Sequence, residues 1–165
     1  NTGIMNATGN YILPLDADDI LAENAVERIQ QAIEETNADI IAPSFKTFGT
    51  HNGIIILMDN PKLEDFKLGN RIGYCSAIKT SLLKEVGGYS PKMVEGYEDL
   101  HLTINLLSQG CKIVTIPEIL WLYRVKENSM YTRITPEIHK KLINHINKDF
   151  PSANINFKNP FLKQV

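Results

Sequence analysis

Several things are scarce or missing in this sequence. There are two cysteines, Cys75 and Cys111, and they are not in a CxxC spacing. That excludes a disulfide framework and points to a reducing compartment with both thiols as packing residues. No apolar run approaches the ~18 residues a membrane-crossing helix needs, and no secretory signal peptide is visible. Lys and Arg form no block and the net charge is −2. Neither nucleic acid nor an acidic membrane surface would therefore be recognised by charge alone. No repeat, low-complexity tract or linker divides the 165 residues, a length that suits one domain with a real core. An initiator methionine is also missing. The chain opens at Asn1, as a fragment or a processed product would.

What is present alternates between strand-like and helix-like patterns. Residues 10–15 read as a short buried strand. Residues Glu23 to Thr36 carry Val26, Ile29, Ile33 and the alanines between them at helical spacing opposite Glu27, Arg28, Gln30 and Glu34. Residues 38–45 and 53–59 read as strands, paired as a hairpin through Gly49–Gly53. The stretch 60–72 reads as loop. Residues 74–80 form a strand that feeds the short helix SLLKEV, closed by Gly87-Gly88. A helix is predicted from Tyr97 to Gln109, with Leu100, Ile104 and Leu107 on one stripe. Two strands follow, split at Pro117-Glu118. A last helix starts at Thr135-Pro136, an N-cap followed by proline, and buries Ile138, Leu142 and Ile146. Residues 1–150 thus read as one domain and 151–165 as a loosely ordered tail. Interleaved helices and strands predict an α/β fold on a mixed sheet, whose ligand site lies beyond the carboxyl ends of its strands.

One such end is unusual. The stretch YILPLDADDIL places Asp16, Asp18 and Asp19 directly after an apolar run. Three like charges so close repel each other and call for a cation or for solvent. A helix N-terminus accounts for one of them. A calcium loop fits Asp16, Asp18 and Glu27 as positions one, three and twelve. It fails at Ile20 and Leu21, where an oxygen ligand and a turn glycine are required. An aspartyl-phosphate phosphatase would use Asp16 as nucleophile, although the continuation Asp19-Ile20-Leu21 is not the usual small turn. The remaining reading is a hard cation, Mg²⁺ or Mn²⁺, bridging carboxylate and diphosphate oxygens. The alternate residues of Asp-x-Asp point the same way and can share that task. A second acidic pair, Glu98-Asp99, opens the predicted helix at 97–109. Alone it reads equally well as a favourable first turn.

The blocks NTGIMNATGNYILPLDADDIL, GYCSAIKTSLLKEVGGYS and GYEDLHLTINLLSQGCKIVTIPEILWLYR, in that order, resemble the family 2 glycosyltransferases of the GT-A fold. The resemblance spans roughly residues 1 to 130. It implies a nucleoside-diphosphate sugar as donor and a hydroxyl of a glycan or lipid-linked saccharide as acceptor, with inversion at the anomeric carbon. Asp16 would contact the ribose or base side, Asp18 the divalent cation, with Asp19 beside it. Asp99, next to Glu98, would be the general base. Arg124 and Lys126 would contact the diphosphate, Lys126 standing where many relatives carry a histidine. The family's base-binding strands would precede Asn1, so this stretch reads as a partial GT-A sheet of a glycosyltransferase, with an inactive binding remnant as the alternative. Work at the cytoplasmic face of a membrane is likewise a family expectation. Trp121 is expected in the core, with Tyr123 alternating toward an acceptor sugar. Tyr97 is a candidate for stacking on an acceptor ring. His51, His101, His139 and His145 show no ligand spacing with one another and read as incidental.

Overall fold

The computed structural model describes residues 1–127, 129–130 and 133–158. Its helices are α1 (Thr2–Asn6), α2 (Ala25–Thr36), α3 (Thr80–Glu85), α4 (Glu98–Ser108) and α5 (Pro136–Asp149). Its strands are β1 (Tyr11–Ile12), β2 (Ile20–Leu21), β3 (Ile40–Gly49), β4 (Gly53–Ile55), β5 (Ala77–Lys79) and β6 (Ile113–Val125). The sheet order is β1-β5-β3-β6-β2, and β4 also pairs with β3. Only β3 and β6 run parallel; the other pairs are antiparallel. This is the mixed α/β sheet that the sequence predicts.

The sheet carries apolar side chains on both faces because β3 alternates. Ile40 and Ala42 pack with Leu100, Ile104, Leu142 and Ile146 of α4 and α5. Ile41 faces the other way, onto Ala25 and Ile29 of α2 and Ile116 and Leu120 of β6. Helix α4 is buried nearly all round, which is why so many of its residues are apolar. The stripe of α2 differs from the expected one. Val26 is 63% exposed and Ala25 is buried in its place, while Ile29 is buried as expected.

Other differences have local causes. The expected strand 10–15 pairs only at Tyr11–Ile12, and Ile20–Leu21 forms an unexpected strand against Leu122 and Trp121. The expected split at Pro117-Glu118 is a β-bulge within one long strand. Pro43 pairs with Ile116, Ser44 with Ile119 and Phe45 with Trp121. Proline lacks a ladder N–H, and a bulge accommodates that. The loop 60–72 contains a 3₁₀ turn, Leu63–Leu68, with Phe66 buried. The tail is less loose than predicted. Ile155 is 1% exposed, and both amide atoms of Asn147 bond its backbone at 2.7 and 2.9 Å. Residues 159–165 of that tail lie outside the described ones.

The hairpin β3–β4 pairs as expected, Thr47 with Gly53. Gly87 and Gly88 close α3 with φ of +77° and +73°, also as expected. Trp121 is 1% exposed and stacks on Phe45 at 4.5 Å. Cys75 is buried, which pushes its thiol up to about 12 and leaves it unreactive. Among the described residues, no helix is long and apolar enough to cross a membrane.

Candidate active site

Among the described residues, a cleft of about 820 Å³ brings distant acidic residues together. Asp16 and Asp18 line one side, Glu98 and Asp99 another, and Arg124 and Lys126 close it from β6 and the turn beyond. Six of the seven site residues proposed from sequence therefore share a cavity. Asp19 is not among its lining. One of its oxygens accepts from Tyr74 Oη at 2.6 Å, the other from the Arg124 backbone N–H at 2.7 Å. Asp19 thus buckles the acidic loop to β6. Tyr74 Oη also accepts the Asp16 N–H at 2.9 Å, so one hydroxyl holds both ends of the loop.

The two acidic regions are tuned in opposite directions. Lys126 Nζ lies 2.5 Å from Asp18 Oδ2 and holds that carboxyl below its ordinary range. Asp16 is pushed up by partial desolvation and by its neighbours Asp19 and Asp18, against the pull of Lys126. Asp99 is pushed up to about 6, first by burial and then by Glu98. Hydrogen bonds from the Leu100 N–H at 2.7 Å and Asn70 Nδ2 at 2.9 Å limit the rise and fix the carboxylate. Glu98 is raised by burial, with Asp16 contributing across the cleft. A carboxylate poised near neutrality and facing a cavity suits proton abstraction.

The entry to α4 is strained. Tyr97, its N-cap, has φ +57°, a left-handed conformation uncommon for a bulky residue. Its hydroxyl meets His139 Nδ1 at 2.9 Å, and His139 Nε2 meets the Phe157 carbonyl at 2.9 Å. Its ring packs edge-on against His139 and Phe157. Tyr97 is 7% exposed and lines the cleft at the start of α4, directly before Glu98 and Asp99. His139 is therefore not incidental. Nor are two other histidines, because His101 and His145 converge on Asp149. Comparing histidines only with one another missed the His145–Asp149 pair, four apart on α5.

Sequence reasoning also missed Tyr74, Asn70 and Asn1. Asn1 exchanges two 2.8 Å bonds with the Tyr89 backbone and so joins the first block to the Gly-Gly-Tyr turn. Tyr74 and Asn1 lie inside quoted blocks, but Asn70 sits in a loop that nothing marks. Arg124 spans the acidic loop and the sheet. Its Nε donates to the Asp18 carbonyl at 2.9 Å, and its guanidinium lies 4.3 Å over the Phe48 ring.

Asp18 is the residue whose surroundings fit a divalent cation. Its carboxylate is ionised, 38% exposed and open to the cleft. Mg²⁺ and Mn²⁺ sites of this kind take one or two carboxylates and complete the shell with phosphate and water. The fit has one condition, that Lys126 leaves Asp18 when the cation arrives.

A mixed sheet with an acidic loop at its strand ends, facing a second carboxylate pair at a helix start, is the layout of the GT-A transferases. The chain belongs to glycosyl transferase family 2, whose description matches residues 1–94. That membership sets aside the phosphatase alternative. "Glycosyltransferase GlyG" of Streptococcus pneumoniae serotype 4 is 27% identical over 149 residues, covering 79% of this chain and 48% of the relative. "Poly(ribitol-phosphate) beta-glucosyltransferase" of Bacillus spizizenii is 28% identical over 144 residues, covering 81% of this chain and 22% of the relative. The chain thus spans about half or less of these relatives' length. The fold is similar to S. aureus TarS 1-349 in complex with UDP-GlcNAc, with TM-score 0.73 and 18% identity over 94% of this chain and 47% of that one. A mannosyltransferase from Pyrobaculum calidifontis in complex with GDP-Man and Mn²⁺ matches with TM-score 0.55 and 16% identity, over 96% of this chain and 43% of that one.

Proposed function

We propose that this chain carries the diphosphate and acceptor sides of an inverting glycosyltransferase site. The donor is a sugar activated as a nucleoside diphosphate, and the acceptor is a hydroxyl of a cell-surface glycan or lipid-linked saccharide. The observation that carries the reading is one cleft lined by an ionised Asp18 and by an Asp99 raised to about 6. Nucleotide-sugar complexes of structural neighbours support the donor class.

Asp99 accepts the proton of the acceptor hydroxyl. The oxygen attacks the anomeric carbon from the face opposite the diphosphate, the new C–O bond forms, and the bond to the phosphate oxygen breaks. The nucleoside diphosphate leaves with its electron pair. Arg124 and Lys126 supply fixed positive charge where that negative charge develops. Asp18 would hold a divalent cation, which would supply further neutralisation of the diphosphate. Asn70 and the strained Tyr97 joint keep Asp99 aimed into the cleft.

Calorimetry with UDP and Mn²⁺ tests the donor side. Heat of binding that disappears in Asp18→Ala supports the reading. A folded chain giving no heat with UDP or GDP is a non-binding remnant. Transfer to an acceptor glycan that survives in Asp99→Asn removes Asp99 as the base.

A further inference from the structure

We propose that His101, His145 and Asp149 form a second cation site, for a zinc-type divalent ion, which clips α4 to α5. Their ligand atoms all lie within 4.8 Å of one another. His101 Nε2 and His145 Nε2 each sit 3.2 Å from the same oxygen, Asp149 Oδ2. Two imidazole nitrogens and one carboxylate oxygen are a donor set typical of open zinc sites, with water completing the tetrahedron. Metal–ligand bonds of about 2.0–2.2 Å hold tetrahedral ligands about 3.3 Å apart. The two His–Asp separations already have that spacing.

Hydrogen bonding without a metal leaves the cluster incomplete. The His101–Asp149 contact is a hydrogen bond, whereas His145 Nε2 is buried and has no hydrogen-bond partner. The two imidazole rings lie nearly parallel, 18° apart with centroids at 6.1 Å. Two imidazolium ions in that arrangement would repel each other. A divalent ion that displaced the Nε2 protons would be met by both Nε2 lone pairs and by Asp149 Oδ2. His101 has a side chain only 8% exposed and packs edge-on against Phe150 at 5.0 Å, which fixes its ring. Asp149, at 30% exposure, gives the ion an entry path. Lys92 is the nearby positive charge felt by both His101 and Asp149, and it weakens the site. None of the three ligands lines the donor cleft. The clip joins the helix that begins with Glu98-Asp99 to the helix whose His139 holds Tyr97.

The test is titration of the intact, nucleotide-free chain with Co²⁺, then displacement by Zn²⁺. One equivalent should give the intense visible absorption of tetrahedral cobalt, and Zn²⁺ should raise the melting temperature. In His145→Ala and in Asp149→Asn the band should vanish and zinc affinity should fall about 100-fold or more, since even outer-shell losses cost 10–100-fold. Circular dichroism checks that both variants fold. Asp18→Ala should keep the band, which separates this site from the donor cleft. A folded wild-type chain without the band overturns the proposal. So does a band that survives both ligand variants, or one that is lost in Asp18→Ala.

Discussion

Asp18 and Asp99 are the same side chain facing the same cleft, and the fold drives them apart. Asp18 stands on an exposed turn beside Lys126, so it stays ionised and available to a cation. Asp99 opens a buried helix beside Glu98, so its proton is held until about pH 6. The first environment suits permanent charge and the second suits a proton that comes and goes. Role follows from solvent and neighbours rather than from residue type.

The strongest way to break this contrast is Asp99→Asn. Glycosyl transfer should fall by about 10²–10⁴-fold, with UDP binding unchanged by calorimetry. An undiminished rate would abolish the distinction between the two carboxylates. Next is Asp18→Ala, which should lose the Mn²⁺-dependent part of UDP binding while leaving Asp99's titration in place. Lys126→Ala should weaken UDP by about 10-fold, the size of one charge-assisted contact. It should also let the Asp18 carboxyl rise toward its ordinary value, read by NMR.

A pH series sharpens the comparison further. Transfer should rise as pH passes through about 6, because the base must lose its proton. Stability should move the other way. Asp99's folded pKa lies above its unfolded one, so its contribution is present at low pH and lost as pH rises through about 6. Denaturation curves on either side of that pH should show the loss in wild type and not in Asp99→Asn. The smallest effect belongs to Tyr74→Phe. It removes the hydroxyl that ties Asp16 and Asp19, for about 1–1.5 kcal/mol by urea unfolding.

How much of this was legible beforehand depends on distance along the chain. Local signals worked well. Thr135-Pro136 capped α5, with the Thr135 hydroxyl accepting from the Ile138 N–H, and Gly87-Gly88 closed α3. The acidic residues were identifiable because like charges so close demand an explanation. The pairing of Ile20–Leu21 with β6 was not legible, since a two-residue strand exists only through its partner. The inward turn of Asp19 was equally hidden, because its partners lie 55 and 105 residues away. Asn70 and the His101–His145–Asp149 cluster follow the same rule. Their significance comes from helices and loops that meet only after folding. Val26 was a simpler failure, where the small Ala25 took the buried place that a larger apolar residue seemed to claim.

The bulge at Pro117-Glu118 sets the phase of everything after it on β6. From there the strand sends Trp121 into the core and carries Arg124 to the acidic cleft. Glu118 is moored to α2 by Arg28 at 2.6 Å, which resists sliding. A side-chain period of two means that removing one residue at this point would invert the whole run. Trp121 and Arg124 would each move to the opposite face of the sheet. The irregular stretch of β6 from Pro117 to Leu120 thus keeps the buried Trp121 and the cleft-lining Arg124 on opposite sides.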